Sequence, residues 1–323
     1  MTPDFGLAQF CFSRLGLLVY IPGGIEGAER RLVWVDRKGM VKTWVGPPRA
    51  YWFPRLSPDG RRLSVQIGTV SSEVWTYDLR GETPPRLTFE ADNNLPIWTP
   101  DGKRLTFASN KLGAMNLFWK PADGSPAEER LTTSEYTQLP SSWSPDGEML
   151  AFEEYHPSTG SDLWILPLKG DRKPRPFLRT QSDEGDAAFS PDGRWLAYVS
   201  NYSGRYEIYV QPFPGPGGKW QISTEGGTAP LWARNGRELF YLNGDKMMAV
   251  EITIHPTFTV GKRRLLFEGR YQKVGPRANY DVTPDGQRFV MVQVRERESA
   301  PVQLNVVTNW FEDLKRRVGS AKP

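Results

Sequence analysis

The sequence predicts an all-β fold, a β-propeller of seven four-stranded blades with six as the alternative, and a short helix at its C-terminal end. Two observations carry this. A short phrase recurs along the chain at nearly constant spacing, and each clear copy is followed by a run of alternating apolar residues. The phrase joins a hydrophobic residue, a hydroxyl residue and a Pro-Asp-Gly turn. Its clear copies are Leu56-Ser57-Pro58-Asp59-Gly60, Trp98-Thr99-Pro100-Asp101-Gly102, Trp143-Ser144-Pro145-Asp146-Gly147, Phe189-Ser190-Pro191-Asp192-Gly193 and Val282-Thr283-Pro284-Asp285-Gly286. Two copies are degenerate, Phe12-Ser13-Arg14-Leu15-Gly16 and Trp232-Ala233-Arg234-Asn235-Gly236. Aligned on positions 13, 57, 99, 144, 190, 233 and 283, they are separated by 44, 42, 45, 46, 43 and 50 residues. Repeats of that length suit propeller blades, small sheets that cannot bury both faces until neighbours stack on them.

Within one repeat the elements follow in order. Residues 95–98 form a first short strand, ended by the turn Thr99-Pro100-Asp101-Gly102. Proline presets φ at the second turn position, aspartate bonds the local backbone, and glycine takes the positive φ that ends the turn. Residues 103–109 alternate, with Leu105 and Phe107 on one face, as a second strand requires. A loop over 110–115 leads to a third strand over 116–120, and a turn over 121–125 leads to a fourth near Arg130. Second strands recur at 62–65, 149–152, 195–198, 238–241 and 288–291, and third strands at 74–77, 163–166, 208–210, 248–250 and 304–307. These runs are β-branched and aromatic and are bounded by Gly, Pro and Asp. The propeller is expected over residues 1–308 as a single domain, with a helix and basic tail over 309–323. The last repeat shows three clear strands, and residues 3–8 are expected to supply its outer strand and close the ring.

Composition agrees with a packed β domain. The chain has 323 residues, 38% apolar, with 12 Trp, 12 Tyr and 16 Phe, enough for a sizeable core. Its 31 Gly and 28 Pro fall largely at turns. Net charge is only +4, and no basic stripe is interleaved with aromatics, so nucleic acid is not an expected partner. The single Cys11 excludes an internal disulfide and any thiolate cluster, and between Phe10 and Phe12 it reads as a buried, inert thiol. Residues 15–21 are apolar but short, and Pro22-Gly23-Gly24 follows where a cleavage site would stand, so they read as a strand and not as a signal peptide. No run approaches the length of a membrane span. The oligomeric state is open.

Ser-Pro-Asp-Gly, an alternating strand and then a Leu163-Trp164 or Ile208-Tyr209 third strand resemble the TolB-like (WD-repeat-like) propellers over nearly the whole chain. A narrower resemblance is to the propeller that follows the kinase domain and membrane span in many bacterial eukaryotic-like serine/threonine kinases. It rests on residues 18–24, 32–39, 172–178, 217–223 and 305–311. That resemblance implies an extracytoplasmic or periplasmic sensing or interaction module in a signalling protein, although a cytoplasmic location stays open. It does not imply that this chain phosphorylates anything.

Candidate chemistry is sparse. Asp4-Phe5-Gly6 resembles the metal-binding phrase of kinases, but only three residues precede it, and the upstream motifs a kinase needs are missing. His156 and His255 lie in different repeats, each before a proline, and two cannot form a three-histidine metal site. No Gly-x-Ser-x-Gly elbow occurs. The five Pro-Asp-Gly carboxylates recur because the turn recurs, so they read as scaffold. No catalytic residue, metal ligand or cofactor is expected.

What remains is a surface on the side opposite the Pro-Asp-Gly turns. Loops before the first strands bring Asp92, Asn93, Asn94, Glu135, Tyr136, Asp183, Glu184, Asp186 and Glu225 to it. Loops between second and third strands add Asn110, Tyr155, His156, Tyr202 and Arg205. That face is acidic and aromatic, suited to a cationic protein or peptide. The expected function is therefore non-enzymatic binding. The alternative is a channel-site enzyme of lyase or lactonase type.

Overall fold

A computed structural model describes residues 10–13, 16–20, 30–44, 46–68, 71–80, 86–215, 217–254, 257–294 and 305–318. The expected all-β architecture is present. Seven sheets occur among the described residues, followed by the helix Trp310–Val318.

Six of the sheets lie within the compact unit Arg30–Val294. Blade 1 holds Tyr51–Leu56, Arg62–Ile67 and Glu73–Asp78. Blade 2 runs from Asn93–Trp98 through Arg104–Ser109 and Asn116–Pro121 to Glu129–Arg130. Blade 3 comprises Gln138–Trp143, Met149–His156, Gly160–Pro167 and Arg175–Leu178, and blade 4 comprises Glu184–Phe189, Trp195–Ser200, Glu207–Pro212 and Trp220–Gln221. Blade 5 is Thr228–Trp232, Glu238–Asn243, Lys246–Thr253 and Thr259–Glu268. Blade 6 joins Tyr280–Val282 and Arg288–Val294 to Arg30–Asp36 and Val41–Thr43.

Six apolar clusters lie at the junctions, one for each neighbouring pair. Leu105 and Phe107 meet Val74 between blades 2 and 1, and Leu150 and Phe152 meet Leu117 between blades 3 and 2. Leu196 meets Leu163, Leu239 meets Val210, and Phe289 meets Phe240 at the next three. The last cluster packs Leu32 and Val290 of blade 6 on Leu63 and Val65 of blade 1, which closes the ring. The ring of this unit is thus six-bladed, the alternative count expected from sequence, and one repeat is not among its blades.

That repeat belongs to the second compact unit, which holds the described residues before 30 and after 294. There Leu18–Tyr20 pairs with Phe10–Phe12 on one side and Asn305–Val307 on the other. Closure comes from Arg30–Asp36 pairing with Arg288–Val294, while residues 3–8 lie outside the described residues. Cys11 is exposed on the edge strand Phe10–Phe12, which corrects the expectation of a buried thiol: an edge strand leaves part of its surface uncovered.

The recurring phrase earns its hydroxyl. Ser57 Oγ donates to Asp59 Oδ1 at 2.5 Å and accepts the Arg62 N–H at 2.9 Å, while Asp59 Oδ1 also accepts the Arg61 N–H at 3.0 Å. Ser144, Ser190, Thr99 and Thr283 donate to the aspartates of their own turns in the same way. These donors hold Asp59, Asp146 and Asp285 below the usual carboxylate range. The turns also touch around the ring: a Cβ built on Gly102, Gly147, Gly193, Gly236 or Gly60 would meet the proline of the preceding blade's turn. Gly286 meets nothing, because the preceding blade carries Arg234 where proline stands elsewhere. Arg234 reaches instead to the carbonyls of Ser57 and Pro58 in blade 1.

Candidate functional site

On the opposite side, blades far apart in sequence meet at the channel. Arg277, just before the inner strand of blade 6, crosses to Glu153 on the second strand of blade 3, three blades away in either direction. Its Nη1 donates to Glu153 Oε1 at 2.9 Å, Nη2 donates to Oε2, and Nη2 also donates to Tyr155 Oη at 2.8 Å. Arg277 is 8% exposed and Glu153 2%, so this is a buried, bidentate ion pair. Asp186, on the inner strand of blade 4, donates its N–H to Glu153 Oε1 at 2.6 Å, and its Oδ2 accepts the Ala278 N–H at 2.8 Å. Arg55 of blade 1 donates to the carbonyls of Ala278 (2.7 Å), Tyr280 (2.9 Å) and Pro54 (2.9 Å). Asp281 Oδ2 accepts the Leu56 N–H at 2.7 Å.

Local backbone explains how these groups reach the channel. The inner strands of blades 1 to 5 each carry a bulge midway. Four of the bulges hold a non-glycine residue at positive φ, namely Phe53 (46°), Leu95 (54°), Asp186 (48°) and Ala229 (61°). A bulge re-aims a side chain, and such a φ persists only where surrounding contacts enforce it. At Asp186 the contacts are Glu153 and Ala278. Neighbouring Gly185 leaves room for Glu153: a Cβ there would lie 2.9 Å from its carboxyl carbon.

Electrostatics single out Asp186. Its side chain is only half-buried by surface exposure yet lies deep among protein atoms. Burial pushes its carboxyl up to about 7, opposed by Arg277 and Arg55. Burial also raises Asp281 and, with the charge of Glu153, Tyr155. Burial alone would lower Arg277, but Glu153, Tyr155 and Asp186 hold it above its ordinary value. Asp186 Oδ1 has no hydrogen-bond partner among the described residues, whereas the other cluster carboxylates are engaged.

Of the residues expected from sequence to form a site, Asp186 joins this cluster. Asp92 and Asp183 instead make matching latches: each accepts the N–H of Ser72 or Ser161 from the preceding blade and bonds Asn110 or Asn201 in its own. Asn93 and Glu184 are buried, Asn93 donating to the carbonyls of Glu90 and Ala91. Asn94 lies 3.9 Å from the Met115 sulfur. Glu135 and Glu225 are exposed, Tyr136 stacks edge-on with His156, Tyr202 sits under Lys219, and Arg205 pairs with buried Glu207. His156 Nδ1 is bonded by Ser158 Oγ, and His255 lies outside the described residues. Among the described residues no three His, Cys, Asp or Glu side chains converge as metal ligands would.

Glu153, Arg277, Arg55 and Asp281 were not picked out from sequence. A signal existed for Glu153: aligned on the phrase, its equivalents are Gln66, Ala108, Val199, Leu242 and Val292. A lone acid at an otherwise uncharged inner position marks a partner elsewhere in the fold.

No protein-family model matches the chain. By sequence it is similar to an uncharacterized peptidase, YuxL, of Bacillus subtilis, 26% identical over 192 residues, 46% of this chain and 29% of that protein. It is also similar to the uncharacterized protein Atu1656 of Agrobacterium fabrum, 29% identical over 219 residues, 61% of this chain and 72% of the relative. The chain therefore spans less than a third of YuxL. By structure it resembles a putative TolB from Agrobacterium tumefaciens, with TM-score 0.66 and 16% identity over 83% of this chain and 99% of the other. TolB from Acinetobacter baumannii follows at TM-score 0.56 and 17% identity, over 88% of this chain and 67% of that one. An oligogalacturonate lyase from Vibrio parahaemolyticus has TM-score 0.54 and 13% identity, over 87% and 82%. The fold is that of the TolB-like β-propellers. Among the described residues no helix is long and apolar enough to cross a membrane.

Proposed function

We propose that this propeller is a non-enzymatic binding module that receives a basic side chain of a protein or peptide at the channel mouth. One observation carries the reading. The polar groups there are committed to one another, except for Asp186 Oδ1, an open acceptor in a strained and desolvated setting. Such a group is built to accept a charge-assisted hydrogen bond, with Glu135, Glu225 and Tyr202 on the surrounding loops. A sensing role outside the cytoplasm, as part of a signalling protein, is what the resemblance of the five stretches to kinase propellers implies.

The test is selection of binders from a random peptide display library on immobilised protein. Enriched sequences should carry Arg or Lys, and Asp186→Asn should weaken them by roughly tenfold, the worth of one hydrogen bond to a charged group. Binders that keep full affinity for Asp186→Asn would sink the proposed mouth.

A second reading has its own support. A carboxyl at about 7, in the same cluster as Arg277 and the Tyr155 phenol that Arg277 bonds, suits proton transfer, and the similar proteins include a peptidase and a lyase. Turnover of a peptide or polyuronide that Asp186→Asn abolishes would favour that enzyme over the binder.

A further inference from the structure

The blade junctions repeat one arrangement, and one junction departs from it in charge. The third-strand residue that pairs with the second strand ten positions after the phrase hydroxyl lies close to the residue opening the next blade's inner strand. Between blades 2 and 3 these are Asn116 and Gln138; between blades 3 and 4 they are Asp162 and Glu184. The positions are equivalent: Asn116 pairs with Ser109 and Asp162 with Glu154, each ten residues after its phrase hydroxyl. Two neutral amides at one junction are thus two acids at the next.

Both acids are buried, Asp162 at 0% exposed and Glu184 at 3%. Thr159 Oγ1 donates to Asp162 Oδ2 at 2.6 Å, and Arg179 Nε lies 3.6 Å from that same oxygen. Thr180 Oγ1 donates to Glu184 Oε1 at 2.7 Å. The remaining oxygens, Asp162 Oδ1 and Glu184 Oε2, have no hydrogen-bond partner. Asn116, by contrast, has both amide atoms engaged, with only Gln138 Oε1 left over as a neutral acceptor. Glu207, the acid at the equivalent place between blades 4 and 5, is bonded at both oxygens by Ser223, Gly226 and Arg205. Burial raises Glu184, and the charge of Asp162 adds to it. Arg179 offsets the charge of Asp162 at its other oxygen only, so the two orphaned oxygens are buried acceptors with nothing to satisfy them.

We propose that the Asp162–Glu184 junction binds a hard divalent cation, Ca²⁺, through Asp162 Oδ1 and Glu184 Oε2. All the donors at hand are oxygens, from these carboxylates and the hydroxyls of Thr159, Thr180 and Ser200, which suits Ca²⁺ over a transition metal. Mg²⁺ dehydrates reluctantly, so a site made of buried carboxylates suits it less. Residues 179–181, exposed, form the adjoining loop and offer a route of entry. The ion would pin that loop to two blades, which is independent of what the channel mouth binds.

The experiment compares thermal unfolding and calorimetric titration of EDTA-treated protein with Ca²⁺ and with Mg²⁺. Asp162→Asn/Glu184→Gln recreates the amide pair of the neighbouring junction, so it should keep the native far-UV spectrum. Wild type should bind about one Ca²⁺ and gain several degrees in thermal midpoint at saturation, with Mg²⁺ giving less. The double variant should lose that response and, without Ca²⁺, unfold at or above the wild-type temperature. Ca²⁺ responses that match in the two proteins, or that are missing from both, would overturn the site. A wild type that ignores Ca²⁺ but gains stability on acidification through protonation of Glu184 would equally overturn it, in favour of a shared proton.

Discussion

The two mouths of the channel are made from the same repeats and held by different means. At the turn side, nearly identical contacts pass from one blade to the next, proline against glycine at five of the turns, with aspartates tied into their own turns and one ion pair, Arg37 with Glu238, added between blades 5 and 6. At the other side, charge and buried hydrogen bonds reach blades that are not neighbours, from Arg277 of blade 6 to Glu153 of blade 3 and from Ala278 of blade 6 to Asp186 of blade 4. A repeated contact between neighbours needs only a repeated sequence. A contact across the axis needs different residues at equivalent positions, so symmetry must be broken where a ligand can enter. At the turn side Arg234, which replaces a proline, also spans non-neighbours, from blade 5 to blade 1.

Five variants sharpen that contrast. Arg277→Ala leaves Glu153 buried and unpaired, and should lower unfolding free energy by about 3–5 kcal/mol in urea titration. Arg277→Met combined with Glu153→Leu should recover most of that loss; if it does not, the pair is more than a buried charge match. Ser190→Ala removes a buried hydroxyl that joins Asp192 to the Trp195 N–H, and should cost about 1–3 kcal/mol.

Asp186→Asn should act through pH. The folded state raises this carboxyl to about 7 from an ordinary 3.8, so the folded protein binds its proton more tightly than the unfolded chain. Native stability then gains as pH falls through about 7 toward 4, and the variant should unfold a few degrees above wild type at pH 8, with the gap narrowing below pH 7 and closing near pH 4. A gap that is flat with pH would mean the carboxyl titrates normally. Arg234→Ala should have the smallest effect, under about 1 kcal/mol by thermal unfolding, because its bonds are largely exposed.

The turn side was readable in advance. Ser57, Asp59 and Gly60 act within a few residues of one another, so their chemistry is local and recurs with the phrase. The same reading put the site on the opposite face and included Asp186, but it grouped Asp186 with Asp92 and Asp183, which the structure uses as latches. Nothing local separates them: all three are acids just before or within an inner strand. What differs is the bulge that turns Asp186 toward the axis, and the arrival of Arg277 from a segment 91 residues further on.

By itself the sequence determined the blade, because turn chemistry and period-two alternation are encoded within about ten residues. It also determined that several blades must stack. Only the tertiary structure decided how many close the ring and which strands close it. Strands from both ends can each complete a blade locally, and the choice falls to the pairing of Arg30–Asp36 with Arg288–Val294. It alone decided which buried charges meet, since that depends on distances across the axis that no local pattern records.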